Sequence, residues 1–68
     1  MKRRFHIKAL DTSIIQALAS HLAYRSCWFE FEPLPDSEYY VTVKADVAWL
    51  VTHILEKDQI LEIKNMEV

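Results

Sequence analysis

The chain opens on a strict alternation. Phe5, Ile7 and Ala9 fall on one side of an extended segment while Arg4, His6 and Lys8 fall on the other, the period-two pattern of a strand with one buried face. Leu10 then leads into Asp11-Thr12-Ser13, three residues whose side-chain oxygens suit a helix N-cap. With Ser13 as the cap, Gln16 occupies the third position of a capping box. Beyond it Ile14, Ile15, Leu18 and Leu22 share one arc at 3.6 residues per turn, which predicts a helix running to Arg25 or Ser26.

The period returns to two at Cys27, Phe29 and Phe31, which alternate with Trp28, Glu30 and Glu32. Aromatic residues in that pattern predict a second strand. Pro33-Leu34-Pro35-Asp36-Ser37 is expected to end it, because proline removes a ladder donor and Asp-Ser supplies turn chemistry. Tyr39, Val41 and Val43 alternate with Tyr40, Thr42 and Lys44 in a third strand that closes a hairpin with the second. Asp46 then caps a second helix whose buried stripe is Val47, Leu50, Val51 and Ile54, and whose outer side carries Trp49, Thr52, His53 and Glu56. Lys57-Asp58 marks its end. Leu61 and Ile63 alternate with Glu62 and Lys64 in a last strand that extends toward Met66 and Val68.

The resulting order, β-α-β-β-α-β, predicts an α+β chain of ferredoxin-like, or split βαβ, architecture. Right-handed crossovers place two helices on one face of a four-stranded antiparallel sheet of order 4-1-3-2, a two-layer sandwich. At 68 residues it reads as a single domain spanning 1–68, able to bury only about 60% of its unfolded surface and therefore of marginal stability.

Composition removes several chemistries. The sequence has no glycine, so no glycine-rich phosphate loop, dinucleotide fingerprint or nucleophile elbow can be written from it. Tight turns must then use other residues at positive φ, with Asn65 and the aspartates the most tolerant. Cys27 is the sole cysteine. It can form no intrachain disulfide, and beside Trp28 and Phe29 it reads as a small core residue of a cytoplasmic protein rather than a nucleophile. The basic start, Met1-Lys2-Arg3-Arg4, is followed by alternating charge instead of an apolar signal core. His6, His21 and His53 fall on different faces, so no shared metal is expected. Glu30 and Glu32 lie about 7 Å apart on one strand face, where Lys44 is expected to balance them. The chain is accordingly read as non-enzymatic, with no catalytic residue, cofactor or metal.

Two surfaces remain. On the open sheet face the pattern collects Arg4, His6, Lys8, Trp28, Tyr40 and Lys44. The segment Phe5-His6-Ile7-Lys8-Ala9-Leu10 resembles the first-strand motif of RNA-recognition-motif proteins, with His6 at the base-stacking position, and the resemblance implies single-stranded RNA as a ligand of this face. It covers six residues. The third strand, Glu38 to Lys44, departs from that family's motif in having no glycine and only one outward tyrosine, Tyr40. A formal net charge of −2 also runs against a polyanionic partner. The other surface is helical. No Asp, Glu, Lys or Arg occurs from Thr12 through Tyr24, and the outward arc Gln16, Ala19, Ser20 and Ala23 is small and neutral. Trp49 and His53 project from the second helix. Such faces suit a protein partner or a homo-oligomer. The leading expectation is therefore an interaction or regulatory domain that binds protein through its helical side, and the alternative is RNA binding on the open sheet.

Overall fold

The computed structural model describes residues 1–66. Its elements follow the order β1 (Lys2–Lys8), α1 (Thr12–Tyr24), β2 (Phe29–Leu34), β3 (Glu38–Lys44), α2 (Ala48–Ile54) and β4 (Ile60–Met66), with 3-10 turns at Ala45–Val47 and Lys57–Gln59. The chain is α+β, with an open four-stranded antiparallel sheet and two helices. The strands lie in the order β2-β3-β1-β4, which from the opposite edge is 4-1-3-2. Because β1 and β3 pair at the centre, from Lys2↔Lys44 to Lys8↔Glu38, their inward residues Phe5, Ile7, Val41 and Val43 are wholly buried. Leu18 and Leu22 of α1 and Leu50 and Val51 of α2 join the same cluster, so both helices cover one sheet face.

Several local expectations are corrected. Of the three N-cap candidates it is Asp11 that caps α1, and the conditional Ser13 cap is not the one used: the Asp11 carboxylate accepts the Ser13 backbone N–H at 2.9 Å. Pro33 does not end β2 but pairs with Tyr39, and the strand continues to Leu34. Since β2 is an edge strand, a position with no N–H can face away from the ladder. Asp46 caps nothing; it sits in the 3-10 turn, and α2 begins after Val47 without a side-chain cap. The second helix also stops early, at Ile54, where Leu55 turns extended and buries its side chain. A reciprocal Glu56–Gln59 capping box then starts the second 3-10 turn. Val68 lies outside the described residues.

Positive φ occurs at Ser26, Asp36 and Ser37, whereas Asn65 lies within β4. Ser26 closes α1 in the way a glycine ordinarily does: its N–H bonds the Ala23 carbonyl and the Cys27 N–H bonds that of Leu22, the paired bonds of a Schellman motif. Asp36 and Ser37 are the two left-handed residues of the turn closed by Glu38 N–H on Pro35 O.

The cap makes a pH-dependent contribution. Hydrogen bonds from the Ser13 backbone and side chain hold the Asp11 carboxyl below the usual carboxylate range. Its stabilisation is thus present above the unfolded-state pKa and is lost as pH falls through the lower folded value. Asp11→Ala is expected to lower the thermal midpoint at pH 7, with the deficit shrinking below about pH 4. Asp11→Asn, which keeps a capping oxygen, should retain part of the stability without that acid dependence. Circular-dichroism melts across pH check both, and a deficit unchanged down to acid pH would exclude an ionic contribution from the cap.

Candidate functional site

The cross-strand registers arrange the open face as a grid. One row runs Glu30, Thr42, Arg4, Lys64 and the next Glu32, Tyr40, His6, Glu62. Glu30 and Glu32 therefore oppose Thr42 and Tyr40, and Lys44 is not the partner expected for them. Instead the cations lie over aromatic rings: Lys2 Nζ is 4.3 Å from the Trp28 centroid and the Arg4 guanidinium carbon 4.9 Å from that of Tyr40. His6 meets Tyr40 edge-on at 5.2 Å, and its Nε2 bonds the Glu38 carboxylate at 2.5 Å. Thr42 is buried within this face. The candidate nucleic-acid residues Arg4, His6, Trp28 and Tyr40 are thus brought together, with Lys8 and Lys44 exposed beside them. The Trp28 and Tyr40 rings each already carry a neighbouring cation, and four carboxylates, Glu30, Glu32, Glu38 and Glu62, share the surface.

On the helical side the predicted residues separate into two groups. Ile14 and Ala17 line a groove with Ile54, and Arg25 lies over the Trp49 ring at 5.5 Å, so these α1 positions mark the side turned toward α2. At 100° per residue Gln16, Ala19, Ser20 and Ala23 lie on the opposite side. Gln16, Ser20 and Ala23 are exposed and Ala19 is half-buried. They form no common surface with Trp49 and His53, both exposed on α2.

Besides Arg25, Trp49 borders the edge of the sheet. Trp49 and Thr52 line one groove with Arg3, Phe5 and Ile63, and Thr52 lines the next with Ile60, Leu61 and Ile63. Trp49, Leu61 and Ile63 are 55%, 50% and 49% exposed.

No family model, curated protein or solved structure matches the chain.

The apolar strip has a geometric origin. Seven residues of α2 span about 10 Å, whereas seven residues of β4 span about 23 Å, so the helix cannot roof the strand. In addition the β1–β4 register slips: Glu62 opposes His6 and Ile60 opposes Ile7, leaving Leu61 as the extra residue of a bulge. Ile60 takes the inward position that alternation assigns to Leu61. Leu61 and Ile63, the apolar positions of this strand's alternation, are thus surface residues. Their exposure follows from the edge position of β4, the short helix above it and the bulge at Leu61.

The three histidines stay apart, His6 on the open sheet and His21 and His53 exposed on different helices. Cys27 is half-buried, with Sγ 3.7 Å from the Arg25 carbonyl oxygen. Among the described residues no helix is long and apolar enough to cross a membrane.

Proposed function

We propose that this chain is a non-enzymatic protein-interaction domain of ferredoxin-like architecture, binding another polypeptide along the strip between α2 and β4. The observation that carries this reading is the adjacency of three large, half-exposed apolar side chains, Trp49, Leu61 and Ile63, around the grooves that Thr52 joins. Isolated exposed hydrophobes are ordinary, but a contiguous group with a tryptophan is characteristic of binding surfaces. A domain this small also gains stability from a partner. Relative to the sequence expectation, the surface keeps Trp49 and moves from the neutral arc of α1 to the edge strand. Gln16, Ser20 and Ala23 offer little apolar area by comparison.

The test uses substitutions at exposed positions. Trp49→Ala and Ile63→Lys are each expected to weaken association tenfold or more, measured by light scattering of the chain itself and by binding of partners recovered with it. Ala23→Glu, on the far side of α1, should leave association unchanged. Loss with Ala23→Glu and retention with the other two would return the interface to α1. A fluorescent RNA pool titrated at low salt, where phosphate contacts are strongest, examines the open face: tight binding there, weakened by Tyr40→Ala, would displace the present reading.

A further inference from the structure

We infer that the occupant of this surface is a second copy of the chain, joined by antiparallel pairing of the two β4 strands about a two-fold axis at Ile63; the inference rests on the protein-interaction reading above. Among the described residues no strand pairs with the outer edge of β4, so its outward N–H and C=O groups are free to extend the sheet. The side chains select the register. Centring the axis on Ile63 places Glu62 opposite the partner's Lys64, and Lys64 opposite the partner's Glu62, on the continuous open face. Ile63 meets its own copy on the helical face, next to Trp49. Centring on Glu62 or on Lys64 would oppose like charges, which destabilises a sheet. A half-step shift would set open-face residues against helix-face residues.

The present neighbours of these charges fit the same arrangement. Within its own chain Lys64 lies across from Arg4, a like charge, and the pairing would give it a carboxylate. The other edge of the sheet is built differently. Strand β2 carries Glu30 and Glu32 at the equivalent spacing with Phe31 between them, and Pro33 follows. The corresponding self-pairing about Phe31 would set glutamate against glutamate at both positions, and Pro33 has no N–H to donate. One edge is thus self-complementary and the other self-repelling.

Charge exchange tests the register directly. The chain is expected to sediment as a dimer, and Lys64→Glu or Glu62→Lys alone should raise the dissociation constant tenfold or more at low salt. An equimolar mixture of those two variants should pair as a heterodimer, since one then carries two acidic and the other two basic side chains at these positions. The double variant Glu62→Lys, Lys64→Glu should self-associate like the unaltered chain. Circular-dichroism spectra confirm that each variant is folded. A monomer at millimolar concentration, or a dimer indifferent to the reversals, or a mixture no tighter than its components, would overturn the pairing. Association that is lost with Trp49→Ala yet indifferent to the reversals would overturn it while leaving the interaction surface between α2 and β4 in place.

Discussion

Phe5→Ala is expected to remove most of the domain's stability, giving a urea transition that begins without denaturant. Phe5 is wholly buried in β1, between Val41 on one side and Ile63 on the other, and it belongs to the cluster that both helices share. Truncating a buried phenylalanine costs about 3–5 kcal/mol, through lost burial and the cavity left behind. At about 0.05–0.15 kcal/mol per residue, a chain of this length has roughly 3–10 kcal/mol in total. The loss is therefore comparable with the whole. Ile7→Val, at an equally buried site in the same strand, should cost only about 0.5–1.5 kcal/mol and shift the midpoint of an otherwise cooperative transition. Urea melts followed by circular dichroism compare the two. A Phe5→Ala midpoint close to that of Ile7→Val would mean that the helices hold the sheet through contacts other than this cluster.

The same cluster explains why the architecture is legible from residues alone. Phe5 and Ile7, then Val41 and Val43, alternate with polar positions, and Leu18 and Leu22 recur at helical spacing between them. The change of period from two to 3.6 and back marks each element. What alternation does not encode is whether anything covers the apolar side. Leu61 and Ile63 carry the pattern of buried residues, and Ile63 does face the helical layer across from Phe5. It is nevertheless half exposed because α2 ends at Ile54 and, among the described residues, no strand pairs with the outer edge of β4. Trp49 was legible for the opposite reason, since it falls outside the apolar stripe of its own helix. Pro33 likewise has a different meaning at an edge than in the centre of a sheet, which local reading cannot separate. On the open face the sequence identifies Arg4, His6 and Tyr40 as neighbours, but not that the arginine lies over the tyrosine ring or that Glu38 bonds the imidazole. Those contacts depend on a diagonal reach between strands that only the register fixes.

Replacing Ser26 and Ser37 together by glycine is expected to raise the thermal midpoint by roughly 5–15 °C. Both residues are left-handed, at φ 56° and 62°, in a chain that contains no glycine. A side chain at such a position costs about 1–2 kcal/mol, and the greater freedom of glycine in the unfolded chain returns about 0.4–1 kcal/mol of that. The net gain is about 0.5–1 kcal/mol per site, and each kcal/mol shifts the midpoint by about 4–8 °C in a domain of this size. The native hydrogen bonds are retained, because Ser26 donates from its backbone N–H to Ala23 and the turn at Ser37 closes through Glu38 and Pro35. Ser37→Gly also creates the Asp-Gly pair that turns with two left-handed central residues favour. Ser20→Gly supplies the contrast: Ser20 is exposed inside α1, where glycine is a poorer helix former than serine and the midpoint should fall. Thermal melts of the three single variants and the double decide the matter. Stabilisation at positions 26 and 37 with destabilisation at position 20 ties the effect to backbone handedness, and a uniform change at all three would attribute it to the unfolded chain.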